Sequence, residues 1–412
     1  MSEAGVVVVG AGHGGFQLAA SLRQHGYDGR VTLIGDEPPL PYQRPPLSKD
    51  YLNGKIGLDL LLMRPETFFT QHRIELVSGV AVTEIDRAGK VAVLADGKRI
   101  DYDHLVLATG ARNRVPPLPG IELDGVCYLR NLAETEDLKQ RLATARHCVV
   151  IGAGFIGLEF AAIARGKGKP VHIIELVDRV MARVVCPDTS AHFAGVHRDA
   201  GVEFSFDARV ERIAGEGGKV SHLALQDGRI LPADLVVISI GVVPNEELAA
   251  AAGLAVGNGI VVDENLLTAD PGISAIGDCA SFPSRHSLRN PVRLEAVQNA
   301  TDHARCVAER LMGKPAPYAA LPWFWSEQGT QRLQIAGLTG GFQQIVLRGD
   351  YEKGEYSAFC YAGDKLLGIE SINKPADHAF ARRLLAAGRD VTPQQAADLS
   401  FDLRAAAMAR PG

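Results

Sequence analysis

The chain has 412 residues, 46% of them hydrophobic and 22% charged, with a formal net charge of −5. That length suits two or three domains with ordinary globular cores, and the negative balance argues against a nucleic-acid surface for the chain as a whole. No apolar run approaches the roughly 18 residues a membrane span needs. MSEAG leads straight into a strand pattern without a charged leader or cleavage site, so a cytoplasmic protein is expected, with neither membrane nor nucleic acid as partner.

Residues 6–20, VVVVGAGHGGFQLAA, combine a β-branched run, a glycine turn and small helix-tolerant residues. Gly10, Gly12 and Gly15 occupy a G-x-G-x-x-G pattern: the first permits the turn, the second lets a pyrophosphate approach backbone N–H groups, and the third lets helix and strand pack closely. The next strand pattern, RVTLIGDE, ends in Asp36 and Glu37, where a carboxylate can accept from a ribose hydroxyl. Residues 41–52 read PYQRPPLSKDYL; Ser48 is expected to cap a helix beginning near the proline pair, and Lys49 by itself reads as a solvated surface lysine. Residues 94–110, LADGKRIDYDHLVLATG, hold a D-G hairpin followed by an apolar strand ending at Gly110.

The same arrangement then recurs. Residues 147–161, HCVVIGAGFIGLEFA, carry Gly152, Gly154 and Gly157; VHIIELVD supplies Glu175; residues 225–241, LQDGRILPADLVVISIG, repeat the hairpin and strand. Two dinucleotide sites on one chain imply one resident and one visiting cofactor, and FAD plus a nicotinamide is the natural pair. A carboxylate at Glu175 accepts from the 2′-hydroxyl of NADH and repels a 2′-phosphate, which predicts NADH; Arg179, four residues on, is the feature that competes.

After Gly241, VVPN marks an abrupt turn, and 242–318 is expected to return to the first domain with a helix over about 295–312. Asp278 ends the run ISAIG, which suits either a ligand contact beyond a strand end or an N-cap for the ASF that follows. Residues 285–314 hold Arg285, Arg289, Arg293, Arg305, Arg310 and Lys314 against Glu295, Asp302 and Glu309, either a solvated helix face or a patch that steers an acidic partner. In PWFWS, Trp323 and Trp325 alternate and so share one side of an extended chain, as core of a C-terminal domain or as cover near a flavin edge. The expected architecture is α/β: a Rossmann-like FAD-binding domain (1–112 and 242–318), an inserted Rossmann-like NAD(H) domain (113–241), and a C-terminal α+β domain (319–412).

The double fingerprint, ATG at 108–110, PYQRPPLSKDYL, AIGDCA at 275–280 and PWFWS together resemble FAD-dependent NADH:ferredoxin reductases of bacterial monooxygenase and ring-hydroxylating dioxygenase systems, with their glutathione-reductase-type fold. The resemblance spans nearly the whole chain. It implies non-covalent FAD held by Asp36, by Gly14 at the pyrophosphate turn, by Lys49 near the isoalloxazine, and by Val82, Arg130, Asp278 and the backbone near Val297. It pairs Lys49 with Glu159 for hydride transfer from NADH, and places Arg305 and Trp325 toward an acidic iron–sulfur ferredoxin, of [2Fe–2S] type, that feeds an oxygenase. His13 departs from the apolar residue common at its position.

The six cysteines, Cys127, Cys148, Cys186, Cys279, Cys306 and Cys360, form neither C-x-x-C nor a zinc spacing, so no metal site is expected. With none before Cys127, a dithiol relay from the early segment is excluded, and one-electron delivery to a carrier follows. The alternatives are an NADH oxidase or peroxidase without a cysteine relay, and an NADH-sensing flavoprotein like apoptosis-inducing factor.

Overall fold

A computed structural model describes residues 4–408, which form two compact units: 4–43, 58–112 and 243–322 make the first, and 44–57, 113–242 and 323–408 the second. The PPLSKDYL segment therefore groups with the second unit.

In the first unit, five strands lie parallel in the order Ile273–Ala275, His104–Leu107, Val6–Val9, Val31–Gly35 and Ile74–Ser78. Their near-continuous Val, Ile and Leu runs suit a sheet covered on both faces, and Val6, Val8, Leu33, Leu105 and Leu107 are among the residues of its buried centre. The fingerprint helix His13–Gln24 packs against Val297–Leu311, the helix expected over 295–312. An antiparallel group, Val82–Asp86, Val91–Leu94 and Arg99–Asp101, turns at Asp96-Gly97, where Gly97 takes φ +85°.

The second unit repeats this plan. Its parallel sheet runs Val202–Ser205, Val171–Ile174, Cys148–Ile151, Leu235–Ile238 and Val126–Cys127, accompanied by the antiparallel strands Val210–Glu216, Lys219–Leu225 and Ile230–Pro232. Equivalent apolar runs thus take equivalent places beside both glycine turns. The same unit carries a five-stranded antiparallel sheet ordered Trp323–Gln328, Gln331–Gly337, Lys365–Ile372, Glu355–Ala362 and Gln344–Asp350, with helices Pro375–Ala386, Pro393–Ala397 and Leu403–Met408. Among the described residues no helix is long and apolar enough to cross a membrane.

Two local expectations change. Ser48 closes a 3-10 turn, Pro45–Ser48, rather than capping a helix; the next helix, Asp50–Asn53, begins after Lys49 with no side-chain cap. The Ser48 hydroxyl is drawn instead to a buried carboxylate on another element, the stronger acceptor. Asp278 lies inside the 3-10 turn Gly277–Cys279, and the residues after it form a short strand, Ala280–Ser281, so there is no helix for it to cap.

Candidate functional site

In the first unit the glycine turn is dictated by close packing. Gly10 has φ +112°, and a Cβ there would lie 2.1 Å from the Ala108 carbonyl oxygen; at Gly15 it would lie 1.9 Å from the Gly10 oxygen. At Gly14 a Cβ would meet only ordinary contacts, 3.4 Å or more from Ile276 and Ala300. Gly12 is the N-cap of His13–Gln24, whose start has neither a side-chain cap nor an acidic residue in the first turn, a helix N-terminus suited to an anion. Asp36 is exposed directly after the strand Val31–Gly35, while Glu37 accepts from the Tyr42 hydroxyl. Val82 is half-buried at the start of its strand.

Asp278 follows the strand Ile273–Ala275, as a ligand of an open sheet should. Its turn is pinned: the Gly277 N–H donates to Nδ1 of the fully buried His303 at 3.2 Å, and Arg293 donates to the Asp278 carbonyl at 3.2 Å. Val297 opens its helix without a side-chain cap. Cys279 is apolar filler: fully buried, its thiol raised by burial, with Sγ 3.5 Å from the Leu107 and 3.3 Å from the Ile276 carbonyl oxygen.

The basic stretch is thinner on the surface than its sequence suggests. Arg310 turns inward to donate to Ser274 at 2.6 Å, beside His104, and burial lowers its pKa. Arg293 is tied to Glu295 at 2.7 Å. Arg285, Arg289, Arg305 and Lys314 stay exposed, with Arg305 3.0 Å from Asp302 one helical turn away.

In the second unit, a Cβ at Gly152 would lie 2.3 Å from the Ser239 oxygen and one at Gly157 2.4 Å from the Gly152 oxygen. At Gly154 the nearest atom would be 3.8 Å away, so internal packing does not explain that glycine, and space is left there for close approach to the backbone. Gly154 caps Phe155–Gly166, again without a side-chain cap or an acidic first turn. The Glu175 carboxylate accepts from the N–H groups of Ala153 and Leu176, each at 2.7 Å, and Val177 at 3.3 Å. It both braces the glycine turn and retains acceptor capacity. The Arg179 guanidinium is committed to the carbonyls of Ala182 at 2.8 Å and Val185 at 2.9 Å.

Glu159 is 4% exposed, on the helix that follows the second glycine turn. Its Oε2 accepts from Lys49 Nζ at 2.7 Å and from the Ser48 hydroxyl, and its Oε1 accepts from the Ser326 hydroxyl at 2.7 Å. The expected Lys49–Glu159 pair therefore forms, and two serines complete it: Ser48, expected instead as a helix cap, and Ser326, which sequence reading did not single out. Arg130 is half-buried next to the capping box of Leu132–Thr144; its N–H donates to Glu134 at 2.7 Å and its carbonyl accepts from Arg44 at 3.0 Å. Trp323 and Trp325 lie on one side of their strand with centroids 5.6 Å apart, both half-buried, and Arg382 stacks on Trp323 at 4.3 Å. Among the described residues, Cys186, Cys360 and Glu370 bring potential metal-ligand atoms within 4.8 Å of one another. Both Glu370 oxygens, however, accept from the Cys186 N–H, at 3.0 and 3.1 Å, so the carboxyl serves the start of the helix Pro187–Asp199.

Residues 4–304 match the model for pyridine nucleotide-disulphide oxidoreductases, and residues 323–407 match the reductase C-terminal model. The chain belongs to the pyridine nucleotide-disulphide oxidoreductase family. Rhodocoxin reductase of Rhodococcus erythropolis is 50% identical over 97% of this chain and 94% of its own length; putidaredoxin reductase of Pseudomonas putida is 39% identical over 97% and 96%. A ferredoxin reductase from Rhodopseudomonas palustris superposes with a TM-score of 0.95 at 55% identity, covering 98% of this chain and 99% of that one. The reductase of a covalent putidaredoxin reductase–putidaredoxin complex gives 0.95 at 38%, covering 98% of each. Like other members of this pyridine nucleotide-disulphide oxidoreductase family, the chain is an FAD-dependent oxidoreductase that uses a nicotinamide. The uncapped helix starts, the packed Gly10–Gly15 turn and the exposed Asp36 fit FAD, and the open space at Gly154 fits a second nucleotide.

Proposed function

We infer that this protein is a ferredoxin reductase that passes electrons from NADH through FAD to an acidic [2Fe–2S] ferredoxin, which supplies a monooxygenase or ring-hydroxylating dioxygenase. The observation that carries the reading is the Lys49–Glu159 pair at 2.7 Å beside the second fingerprint, in a chain with no cysteine before Cys127 to form a thiol relay. Relatives named as reductases of rhodocoxin and putidaredoxin support the choice of acceptor.

Gly10, Gly12, Gly14 and Gly15 form the pyrophosphate turn for FAD; Asp36 accepts from its ribose; Val82, Asp278 and the Val297 amide contact the rest. When bound, FAD supplies the conversion from two-electron to one-electron transfer. Gly152, Gly154 and Gly157 receive the nicotinamide dinucleotide, with Glu175 on its 2′-hydroxyl. Arg179, with its guanidinium spent on backbone carbonyls, offers little to a 2′-phosphate, which favours NADH. Lys49 and Glu159 fix each other's position through their 2.7 Å contact and orient the reacting edges. The exposed Arg305 serves ferredoxin docking, and the half-buried Trp325 is a second residue assigned to the partner.

NADH-driven cytochrome c reduction titrated with a small acidic [2Fe–2S] ferredoxin tests this reading. Saturable stimulation that weakens with added salt is expected. Fast oxygen or peroxide consumption without ferredoxin stimulation would refute it.

A further inference from the structure

Behind Glu159 lies a line of buried polar side chains that the electron-transfer reading does not use. Ser326 is 0% exposed, Gln328 1% and His197 2%. Ser326 and Gln328 alternate along the strand Trp323–Gln328, so both side chains leave it on one side; His197 comes from the helix Pro187–Asp199. His197 Nε2 lies 2.9 Å from Gln328 Oε1, Gln328 Nε2 lies 3.3 Å from Ser326 Oγ, and Ser326 Oγ lies 2.7 Å from Glu159 Oε1.

The direction of this chain is determined by chemistry. Gln328 Nε2 also faces the Met181 sulfur at 3.6 Å; a thioether only accepts, so the amide nitrogen belongs on that side and the amide oxygen faces His197. Burial holds His197 below its usual pKa, leaving a neutral ring whose Nε2 carries the proton that Gln328 needs. With the Gln328 N–H directed at its oxygen, the single Ser326 proton is left for Glu159. Every donor along the line therefore points toward the carboxylate, and each bond polarises the next.

We propose that Ser326 and Gln328 are positioning residues for hydride transfer: the His197–Gln328–Ser326 chain fixes the rotation of the Glu159 carboxylate, so that one oxygen is held from behind while the other stays on Lys49 and Ser48. Without it, a two-oxygen acceptor held only through Oε2 is free to rotate about its last bond. This rests on the Lys49–Glu159 pair acting in flavin reduction.

The test is rapid-mixing reduction of the FAD-loaded enzyme by NADH in Ser326→Ala, Ser326→Thr, Gln328→Leu and Glu159→Gln, with calorimetric NAD⁺ binding to each oxidised enzyme. Loss of one charge-assisted hydrogen bond predicts that Ser326→Ala lowers the limiting rate constant about tenfold. NAD⁺ affinity should stay within about twofold of the parent, because Ser326 is fully buried and its hydroxyl is spent on Glu159. Ser326→Thr, which keeps the hydroxyl, should recover most of the rate, and Gln328→Leu should fall between. A purely structural role would weaken NAD⁺ binding and rate together and would overturn the proposal. So would a parental rate in Ser326→Ala beside a slow Glu159→Gln, which leaves the hydride-site reading intact. A parental rate in Glu159→Gln would overturn both.

Discussion

Lys49 and Glu159, 110 positions apart in the chain, meet at 2.7 Å, with the ammonium 17% and the carboxylate 3% exposed. Replacing Lys49 by Met leaves a buried carboxylate supported only by serine hydroxyls. Because the ammonium keeps some water contact, the expected loss of stability is about 2 kcal/mol, below the range for fully buried pairs. Flavin reduction by NADH should slow by about tenfold or more. Urea unfolding and rapid-mixing spectroscopy on the same variant check both.

Glu175 has two consequences that separate under mutation. Its carboxylate braces the Ala153 N–H of the second glycine turn and is the proposed acceptor for the ribose of NADH. Glu175→Gln keeps an acceptor oxygen but removes the charge that repels a 2′-phosphate, so the ratio of kcat/KM for NADH over NADPH should fall by roughly tenfold. Paired steady-state assays with the two nucleotides measure it.

A pH dependence of stability arises from Glu370. Burial pushes its carboxyl up to about 8 from the ordinary 4.5, so between those values the folded state binds more protons than the unfolded one. Its contribution is fully present below the unfolded value and is lost as pH rises through about 8. Stability should therefore decline over that window, and Glu370→Gln, which still offers an oxygen to the Cys186 N–H, should flatten the decline. Denaturant unfolding at a series of pH values reads the slope.

His303 braces the loop that carries Asp278. Burial drives its imidazole down to about 3, so Nδ1 remains a neutral acceptor for the Gly277 N–H, while the ring packs edge-on against Phe282 and Tyr318 at 4.5 and 4.4 Å. His303→Leu leaves that N–H buried and unpaired, at a cost of about 1–2 kcal/mol. FAD reconstitution of the stripped protein should show affinity lower by about tenfold.

What sequence reading captured and what it missed divide along physical lines. The two glycine turns were legible because a tight strand-to-helix turn is local, and the backbone oxygens of Ala108 and Ser239 leave no room for a Cβ at Gly10 or Gly152. The two Rossmann-like sheets followed from the β-branched runs beside the glycine turns, and the C-terminal α+β domain from the change of composition after PWFWS. Ser48 was misread as a cap because local pattern favours capping, whereas its real acceptor, Glu159, lies 111 residues away. Ser326 was hidden for the same reason, with 167 residues between it and Glu159. Arg310 counted as surface charge because nothing in its helix announces that its guanidinium turns under toward Ser274. The Lys49–Glu159 pairing was reached only through family resemblance; spacing alone gives no reason to join them.

The most direct test of the central claim is anaerobic rapid mixing of the NADH-reduced protein with an oxidised acidic [2Fe–2S] ferredoxin, following bleaching of the cluster. The account predicts complete cluster reduction within one turnover time, at a rate that rises with ferredoxin concentration, falls with salt, and drops in Arg305→Glu. A cluster that stays oxidised while the same reduced protein reacts rapidly with oxygen or peroxide would contradict it.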